Sequence, residues 1–391
     1  MTDTPTVSRA GDLRAFAARC LPGSGDVDFV CSPAGAWLAL GAVASGARGR
    51  TAEELRGMLG VAGAGAGAAV TGVGRTVAET GGVSGAVGVW SRVPVDEGFR
   101  AGLPGVGFGG LGAGARAELD AWVREGSGGR VPGLPLALDG SEDLVLLGVL
   151  ALKAAWRSAF PVGATRPEPF RDASGAVRPV PTMRQRIPGA WVWRVRQGLL
   201  RRRAVVVELP GAGARAVRVR FVLGTPGSGP ADVLPLAWDA RREPVRDEAV
   251  ELALPRFSLR SRLDLRPWLE RCGAGGALRP GADFSGLSPE PLFVSRVVQE
   301  AVVEVAEEGV EAAAVTQVTM TRSAAAPRPL ERIAFDRPFG VVVLDAEGEV
   351  PLFAGWHAGV TGPEAVGQGL SDPSRRVRLG RGAGVSRSRG R

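Results

Sequence analysis

The sequence predicts an α+β fold, with large β-sheets and helices packed around them, on three observations. Residues 144–155 form a near-continuous apolar run, as a strand buried on both faces requires. Residues 33–60 hold two helix-forming stretches, each with its own start signal. Residues 297–323 form a proline-free run whose β-branched residues include Val303, Val305, Val310, Val315 and Val318. This last stretch continues past a natural strand end. Beyond Gly309, residues Val310, Ala312, Ala314, Thr316, Val318 and Met320 share one small, mostly apolar face, while Glu311, Ala313, Val315, Gln317, Thr319 and Thr321 share the other. The run ends in Arg322-Ser323 and an Ala/Pro segment, which is loop chemistry.

Taken in order, residues 10–22 place Leu13, Phe16, Ala17 and Cys20 at helical spacing. A second, apolar helix is expected over 33–47, with Ser32 as N-cap and Pro33 at the first position, where its missing N–H is harmless. Thr51 reads as the N-cap of a third helix, with Glu54 completing a capping box and Gly60 ending it. Residues 61–85 are Gly/Ala-rich and show no readable period. Strand patterns follow at 86–93, 144–155, 191–195, 204–209, 216–223 and 250–259, with short helices at 116–123 and 264–271. Residues 294–305 form the long strand feeding the loop. Residues 341–344 and 352–354 form a closing hairpin around Ala346-Glu347-Gly348.

Composition narrows the function classes. A chain of 391 residues, 45% hydrophobic and 23% charged, buries a sizeable core in one large or two medium domains. The net charge of +8 is carried by arginine, with Lys153 the only lysine, in a Gly/Ala/Val/Arg bias of the kind a GC-rich genome produces. Part of the excess lies in residues 363–391, an Arg-rich tail expected to be solvated and disordered. Cys20, Cys31 and Cys272 are odd in number and lack metal-ligand spacing, so buried free thiols are expected rather than a disulfide framework or a zinc site. One histidine, His357, and no tyrosine disfavour most His-dependent hydrolases and metalloenzymes, so no metal and no cofactor are expected. Gly60 to Gly67 lacks the Gly-Lys-Ser/Thr of a phosphate loop. With no signal-like N-terminus and no uninterrupted apolar run of spanning length, a soluble, cytoplasmic protein is the expectation.

The stretch Glu307-Glu308-Gly309-Val310-Glu311-Ala312-Ala313-Ala314-Val315-Thr316 resembles the hinge that precedes the reactive-centre loop of the serpin family. Phe335-Asp336-Arg337-Pro338-Phe339 with Leu352-Phe353-Ala354-Gly355 is similar to that family's C-terminal strands. Cys31-Ser32-Pro33 and Gly49-Arg50-Thr51-Ala52-Glu53-Glu54-Leu55 resemble its N-terminal helices. Lys153-Ala154-Ala155-Trp156 resembles the strand with the breach tryptophan, and Leu254-Pro255-Arg256-Phe257 and Ala282-Asp283-Phe284-Ser285-Gly286 resemble later sheet segments. The matches keep family order over about residues 10–360, so one serpin domain over 1–362, of a diverged bacterial type, is expected.

The resemblance implies a suicide substrate. A serine protease attacks the exposed loop, forms an acyl-enzyme, and the cleaved loop inserts into the central sheet as a new strand. About 15 residues at roughly 3.3 Å each would carry the protease some 50 Å. Small residues at Ala312, Ala313 and Ala314 suit insertion, and Val310 buries no ionised group. Family spacing from Glu307 puts the specificity residue at Ser323, with Ser323-Ala324 suiting an elastase-like or subtilisin-like protease. Arg322 is the only long basic side chain in the central loop, so Arg322-Ser323, suiting a trypsin-like protease, is preferred, with Arg328 a third candidate. The chain is expected to act as a monomer without membrane or nucleic-acid partners.

Three shutter positions depart from the family's Ser, Asn and His, and read Gly35, Gly148 and Gln299 beside the retained Ser32. The polar network there is either weakened or rebuilt around Gln299. That departure supports a second reading, a non-inhibitory serpin-fold binding protein. A third, an Arg-rich nucleic-acid-associated protein, rests on the tail.

Overall fold

A computed structural model describes residues 6–19, 21, 25–133, 138–197, 202–238, 241–310 and 330–360. Loop residues 311–329, and with them the calls on Glu311 through Thr316 and on Arg322, Ser323, Ala324 and Arg328, lie outside the described residues. So do Cys20 and the tail.

The helices are α1 (Thr6–Arg19), α2 (Pro33–Ala44), α3 (Gly49–Leu59), α4 (Ala64–Glu79), α5 (Glu97–Ala101), α6 (Ala115–Gly126), α7 (Pro230–Val233) and α8 (Arg266–Arg271). Helix α2 starts as its sequence requires: Pro33 is in the first turn and Ser32 Oγ accepts from the Gly35 N–H. All twelve of its residues are buried, which explains the absence of a polar stripe.

The capping box at Thr51 does not form. The N-cap of α3 is Arg48, three residues earlier, and its side chain makes no capping bond. Thr51 Oγ1 instead accepts from Asp283 N, and Glu54 accepts from Gly276 N, so both polar groups tie α3 to the 276–283 segment. Among the described residues, 49–79 is the one helical stretch long and apolar enough to cross a membrane by composition. It is broken at Gly60 and Gly63, whose φ values of 79° and 67° suit glycine, and so forms α3 and α4. Glycine and alanine mask the period of α4 in the sequence; its buried stripe is Ala66, Ala69, Val70, Val73 and Val77.

Three sheets hold most of the strands. The first contains β1 (Phe29–Cys31), β8 (Val192–Gln197), β9 (Arg202–Pro210), β10 (Arg218–Leu223), β11 (Glu243–Pro244), β17 (Phe339–Leu344) and β18 (Pro351–His357), in the order β1-β18-β17-β10-β9-β8-β11. The second contains β6 (Arg166–Arg171), β7 (Val177–Pro188), β12 (Ala249–Pro255) and β16 (Arg332–Ala334), in the order β16-β12-β7-β6. The third contains β2 (Val83–Ser91), β3 (Gly107–Gly110), β4 (Leu144–Leu152), β13 (Phe257–Asp264) and β14 (Val294–Val305), in the order β13-β14-β4-β2-β3. A separate pair joins β5 (Ala154–Ala155) to β15 (Gly309–Val310).

Residues 250–259, read as one strand, are two. The chain breaks at Pro255-Arg256 and passes from the second sheet into the third. The β6–β7 hairpin carries prolines at 167, 169, 179, 181 and 188, which obscure its strand pattern in the sequence. Its outer member, β6, is an edge strand, where proline is tolerated.

The five-stranded third sheet is covered on both faces. On one face Leu119 and Val123 of α6 pack over Val145, Leu147 and Val149 of β4 and Val298 of β14. On the other lies α2. All nine residues of β4 are buried, as a strand covered on both faces requires.

Candidate functional site

The site is built where β14 ends. Strand β14 runs parallel to β4 and pairs with it directly, Gln299 opposite Gly148 and Val302 opposite Ala151, with nothing between them. Beyond Val305 the chain turns back tightly: Ala306 N donates to Gly309 O (3.0 Å) and Gly309 N to Ala306 O (3.3 Å). Gly309 has φ 145°, a conformation side chains resist, which explains glycine at this point of the hinge. The returning residues Gly309 and Val310 pair antiparallel with Ala155 and Ala154. The start of the loop is thus already a short strand at the head of the β4–β14 seam.

Trp156 and Glu307 fix that turn. The Trp156 indole Nε1 donates to Ala306 O (2.9 Å), its backbone N donates to Glu308 O (3.1 Å), and its ring meets Phe221 edge-on at 6.3 Å. Phe160 N donates to Glu307 O (2.8 Å). The Glu307 carboxylate, only 6% exposed, accepts from Thr165 Oγ1 (2.6 Å) and pairs with Arg256, which is 49% exposed. Burial pushes the Glu307 pKa up, but the Arg256 and Thr165 bonds outweigh it and hold the group below the usual carboxylate range. Sequence reading placed Glu307 and Trp156 but missed Arg256 and Thr165. The available signal was a single cation in Leu254-Pro255-Arg256-Phe257, just before the strand that borders β14.

Ser32, Gln299 and the two glycines meet under the middle of the seam. Gln299, 2% exposed, accepts from Ser32 N through Oε1 (2.7 Å) and donates to Ser32 O through Nε2 (2.6 Å). Ser32 Oγ donates to Leu352 O (2.7 Å) and accepts from Gly35 N (3.1 Å). The network is therefore rebuilt around Gln299, with every one of these groups paired.

Three other residues singled out in the sequence lie away from the hinge turn. His357 stacks on Phe257 at 5.0 Å and lies against Phe170 and Phe339. Cys31 is free and buried, and burial pushes its thiol up to about 12; Cys272 is also free but only half-buried, short of the expected full burial. Among the described residues no cluster of His, Cys, Asp and Glu is placed to hold a metal.

A five-stranded sheet closed between β4 and β14, with Gly309 and Val310 paired to Ala155 and Ala154 at its head, defines the site. The serpin (serine protease inhibitor) family profile matches residues 94–358, more than half of the chain, and the chain belongs to that family. Bovine (Bos taurus) leukocyte elastase inhibitor is 31% identical over 255 residues, covering 62% of this chain and 65% of that protein. An uncharacterized serpin-like protein of Thermococcus kodakarensis is 33% identical over 258 residues, covering 64% and 58%. The chain thus spans less than two thirds of the length of these curated relatives. The native structure of the thermophilic serpin tengpin superimposes with a TM-score of 0.76 over 92% of this chain and 95% of that one; at 18% identity this shows the fold alone.

Proposed function

We propose that the chain inhibits serine proteases as a suicide substrate, by cleavage and insertion of the loop that follows Val310. The observation that carries this reading is the seeded seam: β4 and β14 are direct partners, and Gly309–Val310 already pair as the first residues of a strand between them. Two registers can be extended from that seed. Counting along β14 from the Ala306–Gly309 bridge, and along β4 from the Val310–Ala154 pair, both bring Thr316 level with the same two residues, Gln299 and Gly148. These are already partners in the closed sheet. An inserting strand therefore meets its two neighbours in one consistent register, with no slip to correct.

The chemistry belongs to the protease. Its serine oxygen attacks the scissile carbonyl, the peptide C–N bond breaks, the new amine leaves with the proton that the protease's base had taken, and the loop stays as an ester. Insertion then carries the esterified protease away before water cleaves the bond. Val310, Ala312, Ala314 and Thr316 would enter on the core side, where only small or apolar side chains fit beside Val303, Ala301 and Gln299. The pairing of Gln299 with Ser32 supports the inhibitory reading over a non-inhibitory one, which rested on a weakened polar network at this position. Arg322-Ser323 is the preferred bond and Ser323-Ala324 the alternative.

The test is incubation with trypsin and, separately, subtilisin, followed by denaturing electrophoresis and mass measurement of the released peptide. A covalent high-mass band with a peptide beginning at Ser323 is expected. A peptide beginning at Ala324 keeps inhibition and moves the bond. Cleaved chain beside fully active protease, without a covalent band, refutes inhibition of these two proteases.

A further inference from the structure

The bonds that hold the shutter all lie on one side of the seam. Gln299, on β14, is tied twice to the Ser32 backbone, and Ser32 is tied to Leu352 of β18. Strand β4 takes no part in these bonds: its residue at this level is Gly148. What Gly148 meets is the backbone of Gly35, in the first turn of α2. A methyl group on Gly148 would lie 3.2 Å from both the carbonyl carbon and the oxygen of Gly35. A methyl group on Gly35 would lie 2.7 Å from Leu150 Cδ1 and 3.2 Å from Ser32 Oγ. The α2 turn and β4 thus approach more closely than side chains on either would comfortably allow.

From this we infer that Gly35 and Gly148 are a positioning pair for sheet opening: their backbone contact exists only in the closed seam, and it controls opening by steric fit, with no hydrogen bond from β4. The inference rests on the insertion reading above. Admitting a strand between β4 and β14 moves them apart by about 4.8 Å. Because Gln299 ties β14 to the Ser32 turn, the displacement falls on β4, and Gly148 must leave Gly35. Crowding this contact should therefore penalise the closed form and leave the opened form unchanged.

The experiment compares thermal midpoints of native and loop-cleaved protein for wild type, Gly148→Ala and Gly35→Ala. The second variant guards against misfolding of the first, because the atoms nearest its methyl group all belong to side chains, led by the movable end of Leu150. The native midpoint of each variant is expected to fall by about 3–6 °C, with the cleaved midpoint within about 1 °C of wild type. Equal falls in both forms would overturn the inference, since the contact would then persist after opening. An unchanged native midpoint in both variants would overturn it too, because the contact would then exert no control. A wild-type midpoint that does not rise on cleavage would remove the insertion reading itself, and the two failures are thereby told apart.

Discussion

The pair at the hinge turn makes a ranked prediction, because its two members differ in burial. Removing Arg256 leaves the Glu307 carboxylate, 6% exposed, without its cation; removing the Glu307 charge leaves an Arg256 that is 49% exposed and readily hydrated. Stripping the partner from a buried ion costs about 3–5 kcal/mol. Access of water through the vacated Arg256 position lowers this to about 2–4 kcal/mol for Arg256→Ala. Glu307→Gln keeps an acceptor for Thr165 and should cost about 1–2 kcal/mol. The pH dependence separates them further. Wild-type Glu307 has a lowered pKa, so its contribution to stability is present above the ordinary value of 4.5 and is lost as pH falls through the lowered value. In Arg256→Ala only Thr165 and the backbone oppose burial, so the penalty is greatest at neutral pH and is relieved on acidification. Urea unfolding followed by tryptophan fluorescence at pH 7 and pH 4 checks both points. Equal penalties at pH 7, or a penalty for Arg256→Ala that does not shrink at pH 4, would refute the assignment of Glu307 as a buried, cation-dependent anchor.

Gln299→Leu preserves approximate volume but leaves the buried Ser32 N–H unpaired and the Ser32 carbonyl with only its bond from Ala36 N, and should cost about 1–3 kcal/mol in native stability by the same urea assay. Arg220, 2% exposed and bonded to Glu208 (2.8 Å) and Ala237 O (2.7 Å), cannot be shortened without leaving Ala237 O without this donor and Glu208 with Arg218 as its remaining cation. Because Glu208 keeps Arg218, Arg220→Ala is expected to cost about 2–4 kcal/mol, less than an uncompensated buried charge, read as reduced yield and an earlier unfolding midpoint. Under native conditions a thiol reagent should label Cys272 well before Cys31, as mapped by peptide mass, because the Cys31 thiol is buried and held in its unreactive protonated form.

The parts of the fold that carry strong local signals were legible in the sequence. Strand β14 lies where the Val-rich run placed it, the β17–β18 hairpin closes around Gly348, and Ser32-Pro33 starts α2. The parts that were missed are those in which tertiary contacts override local chemistry. The period of α4 is written in alanine and valine against glycine, too weak to read without the groove it fills. Thr51 and Glu54 have capping-box spacing, but neighbouring backbone N–H groups outcompete the helix start for them. The β12–β13 boundary depends on a change of sheet at Arg256, which no two-residue period reveals. At the site, the hinge was recognisable as a pattern, whereas the Arg256–Glu307 pair joins residues 51 apart and the Gly35–Gly148 contact joins two residues without side chains. Gln299 lay between, since its residue type left open whether it rebuilds the network, and its two bonds to Ser32 answer that.

The central claim is that the β4–β14 seam opens to admit the loop. Val302 and Ala151 are direct partners across it, so a disulfide between cysteines placed there would lock the seam shut. The decisive measurement is the yield of covalent protease complex from the Val302→Cys/Ala151→Cys protein, oxidised and then reduced. The account predicts that the oxidised form is cut as an ordinary substrate and leaves the protease active, while the reduced form traps it. Equal trapping by both forms, with the disulfide verified by mass, would contradict insertion at this seam.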